Sequence, residues 1–326
     1  MNEVPVTTER VDACPACGGL TANFWSVATD RLYRLTDQEF EYSTCTACGS
    51  LFQSLRPIES QIYRCYTSAY GPHAAHHDGR TLSRLPAPLN GFLDRLARHR
   101  AGMNGFSRWM KSIEKRMVAA GEILDFGCGS GKYLDRARKL GCRTLGMDFS
   151  EQALVEAARR GHETMDVSEA SWEALAGRRL KFVRLNHVVE HLYRPRDTLG
   201  KVFRAMDDGG VIHISTPNPS GPSAALYGSA WWGLECPRHI VLIPPVQLVR
   251  LLEVIGFRSI EVVQEPVVKD MVRSWAYKRV DQGALSNERV EGLAADGLLN
   301  YIFAFRFRRK FGEIGQADRY HVIACK

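Results

Sequence analysis

The stretch that decides the fold of this chain is residues 122–134, Glu-Ile-Leu-Asp-Phe-Gly-Cys-Gly-Ser-Gly-Lys-Tyr-Leu. Its apolar start predicts a buried strand, Gly127, Gly129 and Gly131 predict a tight loop, and the residues that follow predict a helix. Such a loop lets a ligand approach the backbone closely at the carboxyl edge of a sheet. The spacing G-x-G-x-G differs from the dinucleotide pattern G-x-G-x-x-G and from a phosphate-binding loop ending in Gly-Lys-Ser/Thr. Because Asp125 would repel a pyrophosphate, the loop favours a ligand that carries positive charge.

Short apolar segments alternate with helical segments on the C-terminal side of this loop. The predicted strands are 122–127, 143–149, 162–167, 181–186, 210–216, 258–264 and 319–325, and the predicted helices are 131–141, 151–160, 171–176, 196–207 and 245–256. This alternation predicts an α/β fold with a doubly wound sheet that has helices on both faces. Residues 267–317 are too many for a loop and are helical in pattern, so we expect a helical insertion before the last strand.

Two further acidic residues end predicted strands at the same edge of the sheet. Asp148 ends the second strand, 21 residues after Gly127, where a carboxylate can accept hydrogen bonds from both hydroxyls of a ribose. Asp166 ends the third strand, within reach of the exocyclic amine of an adenine. The alternative roles are a helix N-cap for Asp148 and a turn residue for Asp166.

These motifs carry a resemblance to a known family. Residues 119–265 resemble the class I S-adenosylmethionine (SAM)-dependent methyltransferases, with ILDFGCGSGKYL as the first motif and GMDFS as the second. The resemblance implies a seven-stranded Rossmann-like fold and SAM as cofactor. In the family, the first motif binds the methionyl part of SAM. The acid of the second motif binds the ribose, and the acid after the third strand contacts the adenine. The cofactor-binding residues implied in this chain are Asp125, Gly127, Gly129, Gly131, Asp148, Asp166 and Asn186.

Candidate catalytic residues follow the fourth and fifth strands. Methyl transfer to a hydroxyl or a carbon acid needs a base, and His187, Glu190 and His191 lie just past the fourth strand. This segment resembles small-molecule O- and C-methyltransferases, and it lacks the Asn/Asp-Pro-Pro-aromatic motif of base N-methyltransferases. A later loop, containing Trp231, Trp232 and His239, resembles the acceptor side of the same subgroup. We predict that Glu190, His191 and His239 are catalytic, although they could instead be structural polar residues.

The same segment raises the question of a divalent metal site, which the sequence does not decide. Some quinone O-methyltransferases are similar here and bind a divalent metal through Glu-x-x-Glu-His. This chain has His187 at the first position of that pattern, which puts the metal in doubt.

The N-terminal cysteines predict a metal site of another kind. Cys14-Pro-Ala-Cys17-Gly and Cys45-Thr-Ala-Cys48-Gly are two Cys-x-x-Cys pairs separated by 27 residues, the pattern of a four-thiolate zinc ribbon. We therefore predict a structural Zn²⁺ held by Cys14, Cys17, Cys45 and Cys48. His73, His76 and His77 are further possible ligands, but a solvated linker is the simpler interpretation.

Composition and charge limit the partners. The chain has 326 residues, 45% of them hydrophobic, with no membrane span and no signal peptide in MNEVPVTTERVD, so we expect a cytoplasmic globular protein. The net charge of +7 is concentrated in residues 80–116, which contain nine Lys/Arg against two Asp/Glu. Such a segment would suit RNA, but we expect it to face a phosphorylated small acceptor or solvent rather than a nucleic-acid strand.

We therefore predict a zinc ribbon (1–55), a linker with basic amphipathic helices (56–118) and a class I methyltransferase domain (119–326) with a helical insertion (267–317). The expected activity is methylation of an oxygen or carbon of a small molecule, such as a nucleotide sugar or a secondary-metabolite intermediate. One alternative is an rRNA base methyltransferase whose zinc ribbon binds RNA. The order of a four-ligand zinc module followed by a class I domain is similar to that of some such enzymes. Another is a non-catalytic zinc-ribbon binding module. The oligomeric state is left open.

Overall fold

The computed structural model describes residues 5–66, 86–314 and 317–326, with the backbone alone for residues 307–314. It contains two β-sheets. The smaller one, called here the N-terminal sheet, has the strand order β1-β4-β3-β2 and a fifth strand, β10, that also pairs with β4. Its strands are β1 (Thr8–Arg10), β2 (Ala22–Ala28), β3 (Phe40–Cys45), β4 (Leu51–Pro57) and, from far along the chain, β10 (Val241–Leu242).

The larger sheet has seven strands in the order β11-β12-β9-β8-β5-β6-β7. They are β5 (Glu122–Phe126), β6 (Arg143–Met147), β7 (Glu163–Met165), β8 (Leu180–Asn186), β9 (Met206–Pro217), β11 (Arg258–Glu265) and β12 (Arg319–Cys325). β5 to β9 are parallel to one another, and β12 runs antiparallel to both of its neighbours. The predicted doubly wound, seven-stranded α/β fold is therefore confirmed.

The α-helices connect these strands and cover the larger sheet. They are α1 (Ala87–Arg100), α2 (Met103–Ala120), α3 (Lys132–Lys139), α4 (Glu151–Arg159), α5 (Glu169–Ala176), α6 (Pro195–Ala205), α7 (Pro222–Tyr227), α8 (Pro245–Ile255), α9 (Val268–Asp281), α10 (Val290–Ala294) and α11 (Gly297–Ile314). The last three lie in the predicted helical insertion before the last strand, which is confirmed.

The segment 56–118, for which basic amphipathic helices are predicted, contains α1 and most of α2. The break between the two helices falls at Gly102, which has a φ of 87° and forms the N-cap of α2. Left-handed backbone is accessible to glycine without steric cost, so the chain turns there instead of continuing one helix.

The two faces of the larger sheet bury separate apolar clusters, because successive side chains of a strand point to opposite faces. On one face, Leu124 and Val183 pack with residues of α5, α6 and α8. On the other, Ile123 and Phe182 pack with α2, α3 and α4, to which α2 contributes its buried Ile113. Each fully buried side chain of this size stabilises the fold by roughly 1.5–3 kcal/mol.

The N-terminal sheet packs against the first of these faces. Cys14, Cys45 and Phe52 belong to the same buried cluster as residues of β5, β8 and α8. Within the described part of the chain, no helix has the length and apolar character needed to cross a membrane.

Candidate active site

The glycine loop between β5 and α3 is shaped by a close approach of backbone to side chain. Gly127 has a φ of 78°, and a Cβ added to it would lie 2.4 Å from Cγ2 of Val188. No other residue type fits this position without a shift of the loop. Gly127 and Gly129 line a large cavity at the carboxyl ends of the parallel strands, and Gly131 forms the N-cap of α3 beside it.

Asp148 ties the second strand to this loop. Its buried carboxylate accepts hydrogen bonds from the backbone amides of Gly129 (2.8 Å) and Ser150 (2.9 Å), and it lines the cavity. The N-cap of α4 is Ser150, whose side chain accepts a hydrogen bond from the amide of Ala153. Ser150 and not Asp148 is therefore the N-cap of α4, and the Asp148 carboxylate lines the cavity.

Asp125 also lines the cavity, and it has a partner that the sequence analysis missed. Its buried carboxylate accepts a hydrogen bond from the guanidinium of Arg184 on β8 at 2.8 Å. That guanidinium lies 3.7 Å from the ring centroid of Tyr133. Burial raises the pKa of Asp125, against the opposing effect of Arg184. The available signal for Arg184 was a charged residue between the apolar Val183 and Leu185 within a predicted strand.

Asp166 lies beside the cavity and is bound within its own turn. Its exposed carboxylate accepts hydrogen bonds from the hydroxyls of Ser168 (2.7 Å) and Ser171 (2.5 Å) at the start of α5. The cavity is lined instead by the following Val167 and by Trp172. This placement is the turn role weighed above, while contact with an adenine stays a prediction.

The cavity has a volume of about 1870 Å³ and two sides. The side at the glycine loop is lined by Asp125, Gly127, Gly129, Asp148, Phe149, Trp172, Arg184 and Asn186. The other side, called here the acceptor chamber, is lined by Tyr33, Tyr66, His187, His191, Trp232, Glu235, His239 and Arg273. Tyr33, Tyr66 and Arg273 were not predicted from the sequence, because they come from distant segments without a motif. Glu235 lies within the predicted acceptor-side loop but was not singled out there.

Glu190 lies directly behind the chamber wall and is fully buried. Its carboxylate accepts a hydrogen bond from the Thr216 hydroxyl (2.8 Å) and lies 2.9 Å from Nδ1 of His187. Burial opposes its ionisation, but the contact with His187 and the nearby His239 and His191 hold the pKa of Glu190 at about 2. The chamber therefore has a fixed negative charge at its base.

His191 and His239 come together from separate parts of the chain. Their rings lie 4.7 Å apart, edge to face. Nδ1 of His191 lies 2.9 Å from the carbonyl oxygen of Arg238, and Nδ1 of His239 lies 2.8 Å from that of Gly233. Because a carbonyl can only accept, each Nδ1 carries the proton and each Nε2 is free to accept one.

The surroundings of the two rings differ in charge. Nε2 of His239 lies 3.7 Å from Glu235 and 4.0 Å from Glu190. Burial lowers the pKa of His191 to about 4, and nearby His239 lowers it too, against the effect of Glu190 and Glu235. His191 is therefore neutral at neutral pH, and a proton on His239 has two carboxylates beside it.

The four N-terminal cysteines are brought into one cluster. Their Sγ atoms all lie within 4.8 Å of one another. The Cys14–Cys48 separation is 3.7 Å and the Cys17–Cys45 separation 3.6 Å. Tetrahedral zinc with Zn–S bonds of ~2.3 Å places its sulfurs about 3.8 Å apart, so this donor set fits zinc.

Other candidate residues lie away from the site or outside the described chain. His73, His76 and His77 fall outside the described residues. Of the basic segment 80–116, the described part, 86–116, contributes no residue to the lining of the cavity. Its Arg108, Lys111, Lys115 and Arg116 are exposed on α2.

The residues of the glycine-loop side fit the cofactor implied by the sequence. The carboxylate after β6 suits the ribose of SAM, and the glycine loop, which has no room for a Cβ at Gly127, suits the methionyl part. The aromatic side chains of Phe149 and Trp172 suit the adenine. Together with the sheet order, they define a class I SAM-dependent methyltransferase. A family model described as a methyltransferase domain matches residues 84–262, more than half of the chain, which therefore belongs to this family.

Individual relatives match a smaller part of the chain. The ubiquinone biosynthesis O-methyltransferase of Bradyrhizobium sp. (strain ORS 278) is 30% identical over 130 residues, 39% of this chain and 51% of that protein. A probable S-adenosylmethionine-dependent methyltransferase of Mycolicibacterium smegmatis is 29% identical over 102 residues, 31% of this chain and 39% of its own. The chain spans about half the length, or less, of these curated relatives. A crystal structure of a SAM-dependent methyltransferase from Archaeoglobus fulgidus has a TM-score of 0.47 and 20% identity, covering 68% of this chain and 92% of its own.

Proposed function

We propose that this methyltransferase acts on an oxygen or an acidic carbon of a small molecule, with His239 as the base. The observation that carries the proposal is the pair of histidines that line the acceptor chamber, with the Nδ1 of each ring bound to a backbone carbonyl. A chamber for an amine that is already unprotonated needs no such base.

When bound, SAM supplies an electrophilic methyl group on a sulfonium. That methyl group would be transferred to the acceptor's oxygen or carbon, and the electron pair of the S–C bond would stay on sulfur. The proton lost by the acceptor goes to Nε2 of His239. Glu190 and Glu235, at 4.0 and 3.7 Å from Nε2, stabilise the imidazolium that results. His191, which stays neutral, accepts a hydrogen bond from the acceptor and so orients it.

The chamber walls favour a planar or ring-shaped acceptor. Tyr33, Tyr66 and Trp232 present aromatic surface to the cavity, and the guanidinium of Arg273 lies 4.6 Å from the Trp232 ring centroid. Tyr66 comes from the segment after the N-terminal sheet and Arg273 from α9 of the insertion. Both segments therefore contribute to the chamber. Its aromatic walls suit the ring of a nucleotide sugar or of a phenolic intermediate of secondary metabolism. The similarity to enzymes named for ubiquinone biosynthesis supports including quinone-type phenols among the acceptors to be tested.

We further propose that the four-cysteine cluster holds a structural Zn²⁺. The Sγ separations support this metal, and the amide of Gly19 donates a hydrogen bond to Sγ of Cys17 at 3.4 Å, which would stabilise a thiolate ligand. The ion would join the two cysteine loops of the N-terminal sheet, adding to the stabilisation by the apolar side chains, Phe40 and Leu51 among them, that this sheet buries.

The test of the proposed reaction is the release of S-adenosylhomocysteine (SAH) from SAM in the presence of acceptor panels. We expect turnover with nucleotide sugars or phenols and none with rRNA fragments, followed by mass-spectrometric detection of an O- or C-methyl product. Turnover with RNA alone would overturn the proposal in favour of rRNA methylation. The exposed Arg108, Lys111, Lys115 and Arg116 on α2, none of which lines the cavity, give that alternative no support from the site.

A further inference from the structure

A buried glutamine of the N-terminal sheet binds the loop that carries His239. Gln53 lies on β4 with no exposed surface. Its Nε2 lies 2.8 Å from the carbonyl oxygen of Pro237 and 2.9 Å from that of His239. The hydroxyl of the equally buried Tyr42, on β3, donates to the same His239 carbonyl at 3.3 Å. Two side chains of one sheet thus converge on the backbone of one candidate catalytic residue.

The main chain on the far side of His239 is attached to the same strand. The amide of Gln53 donates to the carbonyl oxygen of Ile240 at 3.0 Å, and Val241 then pairs with Phe52 in the β10–β4 ladder. The amide of Ile240 in turn donates to the carbonyl oxygen of Glu190 at 2.7 Å. The loop is therefore held between β4 on one side and the segment that contains Glu190 on the other.

Arg238 attaches the loop to the N-terminal residues a third time. Its fully buried guanidinium binds Asp30 at 2.9 Å and the carbonyl oxygen of Cys65 at 3.0 Å. The carbonyl of Arg238 is the acceptor for Nδ1 of His191. The orientation of both histidine rings thus depends on contacts with residues 30–65.

We propose that Gln53 and Tyr42 are positioning residues for methyl transfer, which hold the His239 backbone so that its Nε2 stays beside Glu190 and Glu235. The kinetic part of this inference rests on the proposed role of His239 as base. If the loop moved away, the buried side-chain amide of Gln53 would lose its hydrogen-bond acceptors, which would destabilise the fold. An apolar residue of the same size would fill the same space without requiring those acceptors. The amide donors of Gln53 therefore specify where the loop lies, and the N-terminal sheet is part of the reaction site.

The test compares neighbouring substitutions on the same two strands. Gln53→Met and Tyr42→Phe remove the donors to the loop and preserve size. Ser54→Ala and Ser43→Ala are the matched controls, because the Ser43 and Ser54 hydroxyls bond to each other within the sheet at 2.9 Å. The readout is the ring ¹H–¹⁵N correlation spectrum of histidine-labelled, zinc-loaded full-length protein with SAH bound, with the His239 signal assigned by its loss in His239→Gln.

We expect the His239 ring signals to shift or broaden in Gln53→Met and Tyr42→Phe and to stay in place in both serine variants. Affinity for SAH, measured by calorimetry, should be unchanged in all four. With an acceptor from the panels, kcat should fall about 10- to 100-fold in the first pair at an unchanged KM for SAM. His239 signals that superpose on the wild type in Gln53→Met, or an unchanged kcat there, would overturn the proposal.

The failure of this proposal is separable from the failure of the proposed function. Full turnover in His239→Gln would remove the base role and with it the kinetic part, while the spectra would still report whether Gln53 sets the ring position. Loss of turnover in His239→Gln together with an unmoved ring in Gln53→Met would keep the base and reject the positioning residues.

Discussion

The carboxylate of Asp148 accepts a hydrogen bond from the backbone amide of Gly129 at 2.8 Å. This bond joins the end of the second parallel strand to the middle of the glycine loop. The same carboxylate lines the cavity, where the family resemblance places the acid that binds the ribose.

Asp148→Ala should therefore weaken SAH binding by about 100-fold or more. The variant loses an ionised acceptor for the ribose hydroxyls and releases the amide of Gly129. Isothermal calorimetry checks this. Asp207→Ala, which removes a half-buried carboxylate paired with Arg179 at the far end of β9, is the control that should bind normally. Equal affinities in the two variants would contradict the assignment.

Gly127→Ala should destabilise the fold and weaken SAH binding together. The added methyl group would lie 2.4 Å from Val188 at a φ of 78°, and such strain costs on the order of 1–3 kcal/mol. Gly177→Ala, with no atom within 4 Å of the added Cβ, should leave the urea midpoint almost unchanged. Adding Val188→Ala to Gly127→Ala should restore part of the loss; no recovery would mean that the clash is not its cause.

His239→Gln and His191→Gln should reduce turnover while SAH affinity stays near normal. Loss of a general base lowers rates by roughly 10²–10⁴-fold, and loss of a positioning contact by less. SAH release with an acceptor from the panels measures this, with exposed His99→Gln as the control. Two fully active variants would remove both histidines from the mechanism.

The depressed pKa of His191 predicts a pH dependence of stability. In the unfolded chain a histidine has a pKa of about 6.5, whereas in the fold the pKa of His191 is about 4. Between these values the unfolded state binds more protons, so the free energy of unfolding falls as the pH falls from about 6.5 to about 4. Urea unfolding across this window should show a shallower decline in His191→Gln than in the wild type. Parallel curves would contradict the burial of a neutral ring.

The cysteine cluster predicts about one zinc ion per chain. Cys17→Ser should lose the metal, measured by atomic emission after gel filtration, and should unfold at lower urea. Cys325→Ser, at the end of β12 and outside the cluster, should retain it. A metal content that Cys17→Ser does not change would place the zinc elsewhere.

The parts of this structure that depend on local patterns could be predicted from the sequence. The strand, loop and helix around Gly127 follow from apolar periodicity and glycine spacing, and the cysteine cluster follows from two short motifs. Each of these motifs consists of residues that are close together in the sequence, so no knowledge of the tertiary structure is needed to recognise it.

The rest depends on contacts between distant segments. The pairing of Asp125 with Arg184 requires knowledge of which strands are neighbours and in what register. The meeting of His191 and His239 requires a loop that is held by Gln53 of the N-terminal sheet. A boundary at residue 55 treats that sheet as self-contained, and nothing in the local sequence of Val241 and Leu242 marks them as its fifth strand.

The pairing of β10 with β4 has a consequence for synthesis of the protein. When the two cysteine pairs leave the ribosome, the strand that completes their sheet does not yet exist, and the backbone of Leu51 and Phe52 is an open edge. Metal loading can precede that strand, but the final sheet cannot. A fragment cut after the sheet, or a graft of it onto another enzyme, would keep the cysteines and the pairing of β4 with β1 and β3 but lose β10. The N-terminal segment is thus not a portable module.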